Sequence, residues 1–216
     1  MDEKVVINLI KKQCSKYGNP IVNEIADLNN DSFKVLISCL LSLRTKDITT
    51  AKASKRLFIK ADTPYKLVKL SDKEIEKLIY PVGFYKRKSK NLKEVCKHLI
   101  ENHNGQVPNK EKDLLKIKGV GRKTMNICLT YAFNNEEGLA VDTHVNRISN
   151  RLGWVKTKTP EETELALKEK LDKKYWKDIN NVFVQFGQNI CKPVSPYCSK
   201  CSVNKYCQKI NVNKSR

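Results

Sequence analysis

Apolar residues along this chain return every three or four positions, the spacing of one helix face, and no stretch alternates with the two-residue period of a strand. Val5, Val6, Leu9, Ile10 and Cys14 predict a first amphipathic helix that ends near Tyr17-Gly18-Asn19-Pro20. Asp31 or Ser32 then caps a segment, from Phe33 to Leu43, that is apolar on nearly every side, as expected of a helix at the centre of a core. Beyond Arg44-Thr45-Lys46, Asp47 is expected to cap the next helix. Thr63-Pro64 opens a short one, and Ser71 with Glu74 forms a capping box for its successor. Leu92, Val95, Cys96, Leu99 and Ile100 make a further stripe, stopped at His103-Asn104-Gly105. Residues 134–138 read as a loop and 141–152 as a helix closed by Gly153. Thr159-Pro160 with Glu162 starts another helix, and Tyr175, Trp176, Ile179, Val182, Phe183, Phe186 and Ile190 mark the last long one. The predicted fold class is all-α.

One unit in this series carries chemistry. Leu114, Leu115 and Ile117 form the apolar side of a short helix, and Gly119-Val120-Gly121 supplies a tight turn suited to glycine. Met125, Cys128, Leu129, Ala132 and Phe133 then mark a second, half-buried helix. The first amides of that second helix have no partner within it, and its dipole adds positive character, so the turn can hold an anion. Lys116, Lys118, Arg122 and Lys123 surround it and make a nucleic-acid phosphate the expected anion.

Charge strengthens that reading. The 216 residues include 42 Lys and Arg against 23 Asp and Glu, a formal net charge of +19, which calls for a polyanionic partner and strong salt dependence. The N-terminus has acidic residues and no sustained apolar run, so no secretory signal is expected. The longest apolar-rich run, residues 35–43, is far short of the ~18 residues that suggest a membrane span. A soluble, intracellular protein without a membrane partner is expected.

The eight cysteines fall into two groups. Cys14, Cys39, Cys96 and Cys128 sit among apolar residues at helical spacing and read as small core residues. Cys191, Cys198, Cys201 and Cys207 follow the spacing C-x6-C-x2-C-x5-C, and four thiolates so close in sequence can surround one zinc ion or one iron–sulfur cubane. The spacing alone leaves both open. Lys192, Lys200 and Lys205 between them make the surrounding loops basic.

The run GVGRKT at residues 119–124, VDTH at 141–144 and all three cysteine gaps together resemble the helix-hairpin-helix DNA glycosylases, most closely the endonuclease III family. The resemblance covers nearly the whole chain, from Asp31 to Cys207. It implies two helical lobes with a DNA-binding cleft between them: a bundle over residues 25–135 carrying the hairpin unit at about 111–133, and a second lobe from residues 1–24 and 136–216. It also implies a 4Fe-4S cluster on the four cysteines of residues 191–207. The implied activity is base-excision DNA repair: removal of oxidised pyrimidines, then cleavage 3′ to the abasic site by β-elimination through a lysine Schiff base.

In that reading Lys123 is the nucleophile and Asp142 the carboxylate that tolerates positive charge on the sugar. The helix after Lys123 carries the chain about 16 Å away, and the seven residues from Asn134 to Ala140 can span about 23 Å, so the pair can meet. Gly119, Val120, Gly121, Lys118 and Arg122 are expected to contact DNA, with His144 packed or facing a phosphate and Thr143 capping its helix. The damaged base must leave the stack, and the family fills the gap from turns that match Arg44 and Phe84 here. Bacterial relatives commonly carry glutamine and leucine at those two places. The expected partners are damaged or abasic duplex DNA and downstream repair enzymes, with the protein a monomer of the prokaryotic cytoplasm or nucleoid. The rival readings are a monofunctional mismatch or adenine glycosylase, a non-catalytic helix-hairpin-helix module and a zinc-bound structural protein.

Overall fold

The computed structural model describes residues 2–17, 31–133, 135 and 138–216. Among the described residues the regular elements are all helical. In chain order they are α1 (Glu3–Cys14), α2 (Ser32–Ser42), α3 (Asp47–Lys60), α4 (Pro64–Lys69), α5 (Asp72–Ile79), α6 (Tyr85–His103), α7 (Glu111–Leu114), α8 (Arg122–Ala132), α9 (Thr143–Leu152), α10 (Pro160–Lys170) and α11 (Trp176–Asn189). Short 3-10 turns at Ser15–Tyr17, Lys173–Tyr175, Cys198–Lys200 and Asn204–Tyr206 complete the set. The expected stop of α1 at Gly18-Asn19-Pro20, the domain boundary near residue 25 and much of the loop 134–138 lie outside the described residues.

The chain divides into two compact units, Ile21–Asn135 and Met1–Pro20 with Glu136–Arg216. In the first, α2 packs on α3 and α8, and α6 packs on α4 and α5. Residues Phe33 and Val35 to Leu41 of α2 are all buried, which is the all-round apolar helix of the sequence pattern. The Cys39 and Cys128 thiols meet between α2 and α8, and that contact together with burial pushes the Cys128 thiol well up. In the second unit, α11 packs on α9 and α1 around Phe183, Phe186, Ile7, Ile148 and Leu167. Buried Asn180 donates to the Ala140 carbonyl at 2.9 Å and so anchors the approach to α9. No described helix is long and apolar enough to cross a membrane.

Local signals set the helix ends. Asp31 caps α2, Thr63 caps α4 with Pro64 inside its first turn, and Thr159 caps α10. Ser71 and Glu74 exchange both bonds of a capping box. Asn104 and Gly105 close α6, and Gly153 closes α9, each with a positive φ.

Three expectations are corrected. The buried stripe of α1 is Val6, Ile7, Ile10 and Cys14, with Val5 exposed, so the face is turned by about one position. Asp47 is the first residue inside α3 and Lys46 holds the cap position, where the acid favours the positive end of the helix by charge instead. Helix α8 is buried from Thr124 to Ala132, not on one side only. Its second face carries Thr124, Asn126 and Thr130, small polar residues that resemble a solvent face in sequence yet pack inside.

Candidate nucleic-acid interface, catalytic residues and cysteine pocket

The hairpin is wound from short-range main-chain bonds. Leu115 N–H donates to Glu111 O at 3.0 Å, Ile117 to Leu114 O at 3.1 Å and Val120 to Ile117 O at 3.0 Å. Helix α7 ends at Leu114, and Leu115 is exposed rather than part of the apolar side, while Leu114, Ile117 and Val120 are buried and pin the turn to the unit. The two glycines do different work. Gly119 has φ +86°, and a Cβ there would stand 2.7 Å from Asn91 Nδ2. Gly121 is extended and caps α8, and a Cβ there would meet no atom within 4 Å. Only Gly119 is demanded by the fold; at Gly121 the open space leaves room for another molecule's backbone.

The Gly119 requirement gives a stability prediction. Gly119→Ala should cost about 1–2 kcal/mol through its left-handed backbone, which lowers the melting temperature by roughly 3–6 °C. Gly121→Ala should leave it within about 2 °C. Thermal denaturation of both variants checks this, and equal losses would contradict the assignment.

The cations around the turn are engaged with exposed acids. Lys118 pairs with Glu94 at 2.8 Å, Lys116 with Asp113 at 3.0 Å and Arg122 with Glu111 at 3.4 Å. Such exposed pairs contribute at most about 1 kcal/mol, so a phosphate can replace the carboxylate. An open groove of about 770 Å³ runs beside Lys118 and Gly119 to Arg44 and Phe84, with Lys86, Arg87 and Lys90 along it.

Arg44 and Phe84 lie together in this unit. Each has a left-handed backbone, at φ 55° and 57°, and the guanidinium stands 5.7 Å from the ring centroid. Phe84 is 60% exposed, which rules out core packing as its role.

Lys123 is the second residue of α8, directly after the hairpin and half-buried. Asp142, in the other unit, caps α9, with Oδ1 accepting from His144 N–H at 2.8 Å and Val145 N–H at 3.0 Å. The cap is therefore Asp142 and not Thr143, and α9 starts at Thr143 because the two amide bonds begin one residue earlier than the expected cap. His144 packs against Gly187 of α11, its Nδ1 3.1 Å from Arg147 Nη2.

Cys191, Cys198, Cys201 and Cys207 line one pocket floored by Ile148, Leu152, Phe186, Ile190 and Val203. Among the described residues no three His, Cys, Asp or Glu side chains converge tightly enough to share one ion. Burial pushes the Cys201 thiol up to about 11, and Cys191, Cys207 and Cys198 push the same way. Burial also raises Cys207, opposed by the Lys209 amide at 3.3 Å. Four cysteine sulfurs lining one pocket are the donor set that an iron–sulfur cluster or a metal ion takes, bound as thiolates.

Two arginines absent from the sequence reading hold this loop. Arg151, buried, donates to Cys191 Sγ at 3.4 Å and to the Lys192 and Pro193 carbonyls at 2.7 Å each. Arg147 donates to the Cys191 carbonyl at 2.9 Å and to Gly187 O at 3.3 Å. The other four cysteines are buried, as the sequence pattern predicts.

Comparison with known proteins fits this arrangement. Residues 37–173 match the HhH-GPD superfamily of base excision DNA repair proteins. Endonuclease III of Thermotoga maritima is 51% identical over 171 residues, covering 79% of this chain and 80% of that protein. The structure of an endonuclease III trapped as a covalent DNA intermediate, an estranged-adenine complex, superposes with a TM-score of 0.77 at 34% identity over 92% of this chain and 96% of that one. A thermostable thymine-DNA glycosylase superposes with a TM-score of 0.81 at 25% identity, over 95% of each chain. With the hairpin, a family match over residues 37–173 and 51% identity over 79% of the chain, the chain belongs to the endonuclease III family of the HhH-GPD superfamily of base excision DNA repair proteins.

Proposed function

We propose that Lys123 and Asp142 are the catalytic pair of this base-excision repair enzyme, a DNA glycosylase and abasic-site lyase, and that its substrates are oxidised pyrimidines in duplex DNA. The observation that carries the reading is the place of Lys123: half-buried, on the first turn of α8, immediately behind a hairpin suited to a phosphate. A nucleophile there stands where a gripped DNA backbone would bring the sugar.

The Lys123 amine attacks C1′ as the bond to the base breaks, and the base leaves with that electron pair. Ring opening gives an imine. The imine acidifies the C2′ proton, its loss forms the C2′–C3′ double bond, and the 3′ phosphate departs with the C3′–O bond pair. Asp142 faces the positive sugar carbon with a carboxylate whose direction is fixed by two amide donors. Gly121, Val120, Lys118 and Arg122 hold the phosphates on either side, while Arg44 and Phe84 fill the space the base leaves.

Cys191, Cys198, Cys201 and Cys207, which line one pocket with Ile148 and Phe186, would hold a 4Fe-4S cluster, and its bonds would clip the C-terminal tail to the core. The protein acts as a monomer inside the cell, and its product needs end-processing and a polymerase.

A duplex carrying one thymine glycol tests the assignment: base release and a nick 3′ to the site are expected. Asp142→Asn keeps a good capping side chain but removes the negative charge, so base release should fall about 100- to 1,000-fold while binding to an abasic-site duplex persists. An unchanged rate would remove Asp142 from the chemistry. The likeness to a thymine-DNA glycosylase keeps a monofunctional mismatch glycosylase as the rival reading; base release with an intact strand would establish it.

A further inference from the structure

Lys88 lies in the first turn of α6, and its ammonium leaves that helix to bind another. Nζ donates to Leu41 O at 2.7 Å, Leu43 O at 2.5 Å and Thr45 Oγ1 at 3.1 Å. The two carbonyls belong to the C-terminal turn of α2 and its cap, which lack partners within the helix and attract a cation. All three acceptors are uncharged, and burial lowers the Lys88 amine to about 8. Phe84 caps this same helix, its carbonyl accepting the Lys88 main-chain N–H at 2.9 Å in the first helical bond.

The lysine thus ties the turn that carries Arg44 to the start of the helix that Phe84 caps. Thr45 completes the clasp, because its hydroxyl also accepts from Gly83 N–H at 3.1 Å. The turns touch so closely that a Cβ on Gly83 would stand 2.6 Å from Arg44 O. Arg44 and Phe84 both occupy the left-handed region, which residues of their kind adopt only where their surroundings impose it. Arg56 supports the far side, donating to Leu78 O at 2.8 Å and to Tyr80 O.

We propose that Lys88 is a positioning residue for base extrusion: by bonding the Leu41–Thr45 turn from the first turn of the helix that Phe84 caps, its ammonium sets Arg44 and Phe84 in register as a single wedge for the gap in the duplex. The assignment rests on the reading of Arg44 and Phe84 as gap fillers. Lys88 touches neither the base nor the reacting sugar.

The experiment compares Lys88→Met with wild type on two substrates, a lesion in duplex DNA and an abasic site in single-stranded DNA, which has no stack to open. The ratio of duplex to single-strand rates should fall about 10- to 100-fold, the scale of a misplacement near 1 Å. In parallel, 2-aminopurine opposite the lesion should lose most of the fluorescence rise that wild type produces. Thr45→Val removes the shared hydroxyl at little cost in shape and should shift both readouts the same way. It carries the test alone if Lys88→Met does not fold. Rates that fall together on both substrates, or do not fall, overturn the clasp. Arg44→Ala with Phe84→Ala separates the two levels. If that double variant keeps the fluorescence rise, the wedge itself is wrong; if it loses the rise while Lys88→Met and Thr45→Val keep it, only the role of Lys88 falls.

Discussion

Lys123→Gln should abolish strand cleavage and covalent trapping while leaving a folded, DNA-binding protein. Glutamine keeps nearly the length of the side chain and is a good helix former, so the first turn of α8 should persist, with a melting temperature within about 2 °C of wild type. What it cannot do is form an imine. Borohydride reduces the imine to a stable amine, so wild type mixed with a thymine glycol duplex should become crosslinked to the DNA and the variant should not. Loss of the nucleophile should lower turnover by about 10,000-fold or more, the scale seen when a nucleophile that works as a unit with its partner is removed. A variant that still crosslinks would assign the chemistry to another amine. A wild type that releases the base without crosslinking would make water the nucleophile and the enzyme monofunctional.

The parts of this molecule visible in its sequence are those that depend on neighbours a few positions away. Capping side chains such as Thr63, Ser71 and Thr159 act within one turn, so their spacing reveals them. The glycine hairpin and the four-cysteine spacing are legible for the same reason. Asp142 and Asp47 show the limit of such local signals: each acid precedes a helix, yet one caps it and the other lies inside, a difference of a single residue.

Long-range support leaves no such trace. Lys88, Arg147 and Arg151 spend their charge on main-chain carbonyls about 40 or more residues away. Every residue has a carbonyl, so nothing in the partner's identity marks the contact. In composition they are three more cations among 42, and a surplus that suggests DNA also conceals the cations that hold the protein's own turns. Burial marks one of them: Arg151 is 7% exposed, whereas Lys88 and Arg147 are half-buried, as Arg122 and Lys123 at the hairpin are.

The largest stability effect is expected at the cysteine pocket. The chain after Cys191 contains two 3-10 turns and buries only Pro196 and Val203, so its apolar contacts contribute little to holding it. Arg147 and Arg151 hold its start, Gln13 of α1 donates to Lys200 O at 2.6 Å and accepts from Ser202 N–H at 2.9 Å, and the proposed cluster would tie the four thiols together. If the proposed cluster is present, Cys201→Ser would remove one of its four ligands beside the buried Val203. Because binding free energy at such a site is also folding free energy, the loss should exceed that of an ordinary buried thiol, with roughly 4 kcal/mol lowering the melting temperature by about 10 °C. Wild type should contain iron and acid-labile sulfide in equal amounts with a brown absorbance, and the variant should lose all three together. Cys96→Ala is the control: burial pushes that thiol up to about 12, it lies in the other unit, and its removal should leave the iron content unchanged. Zinc without sulfide in wild type would replace the cluster by a single ion. An iron content that survives Cys201→Ser would remove Cys201 from the ligand set.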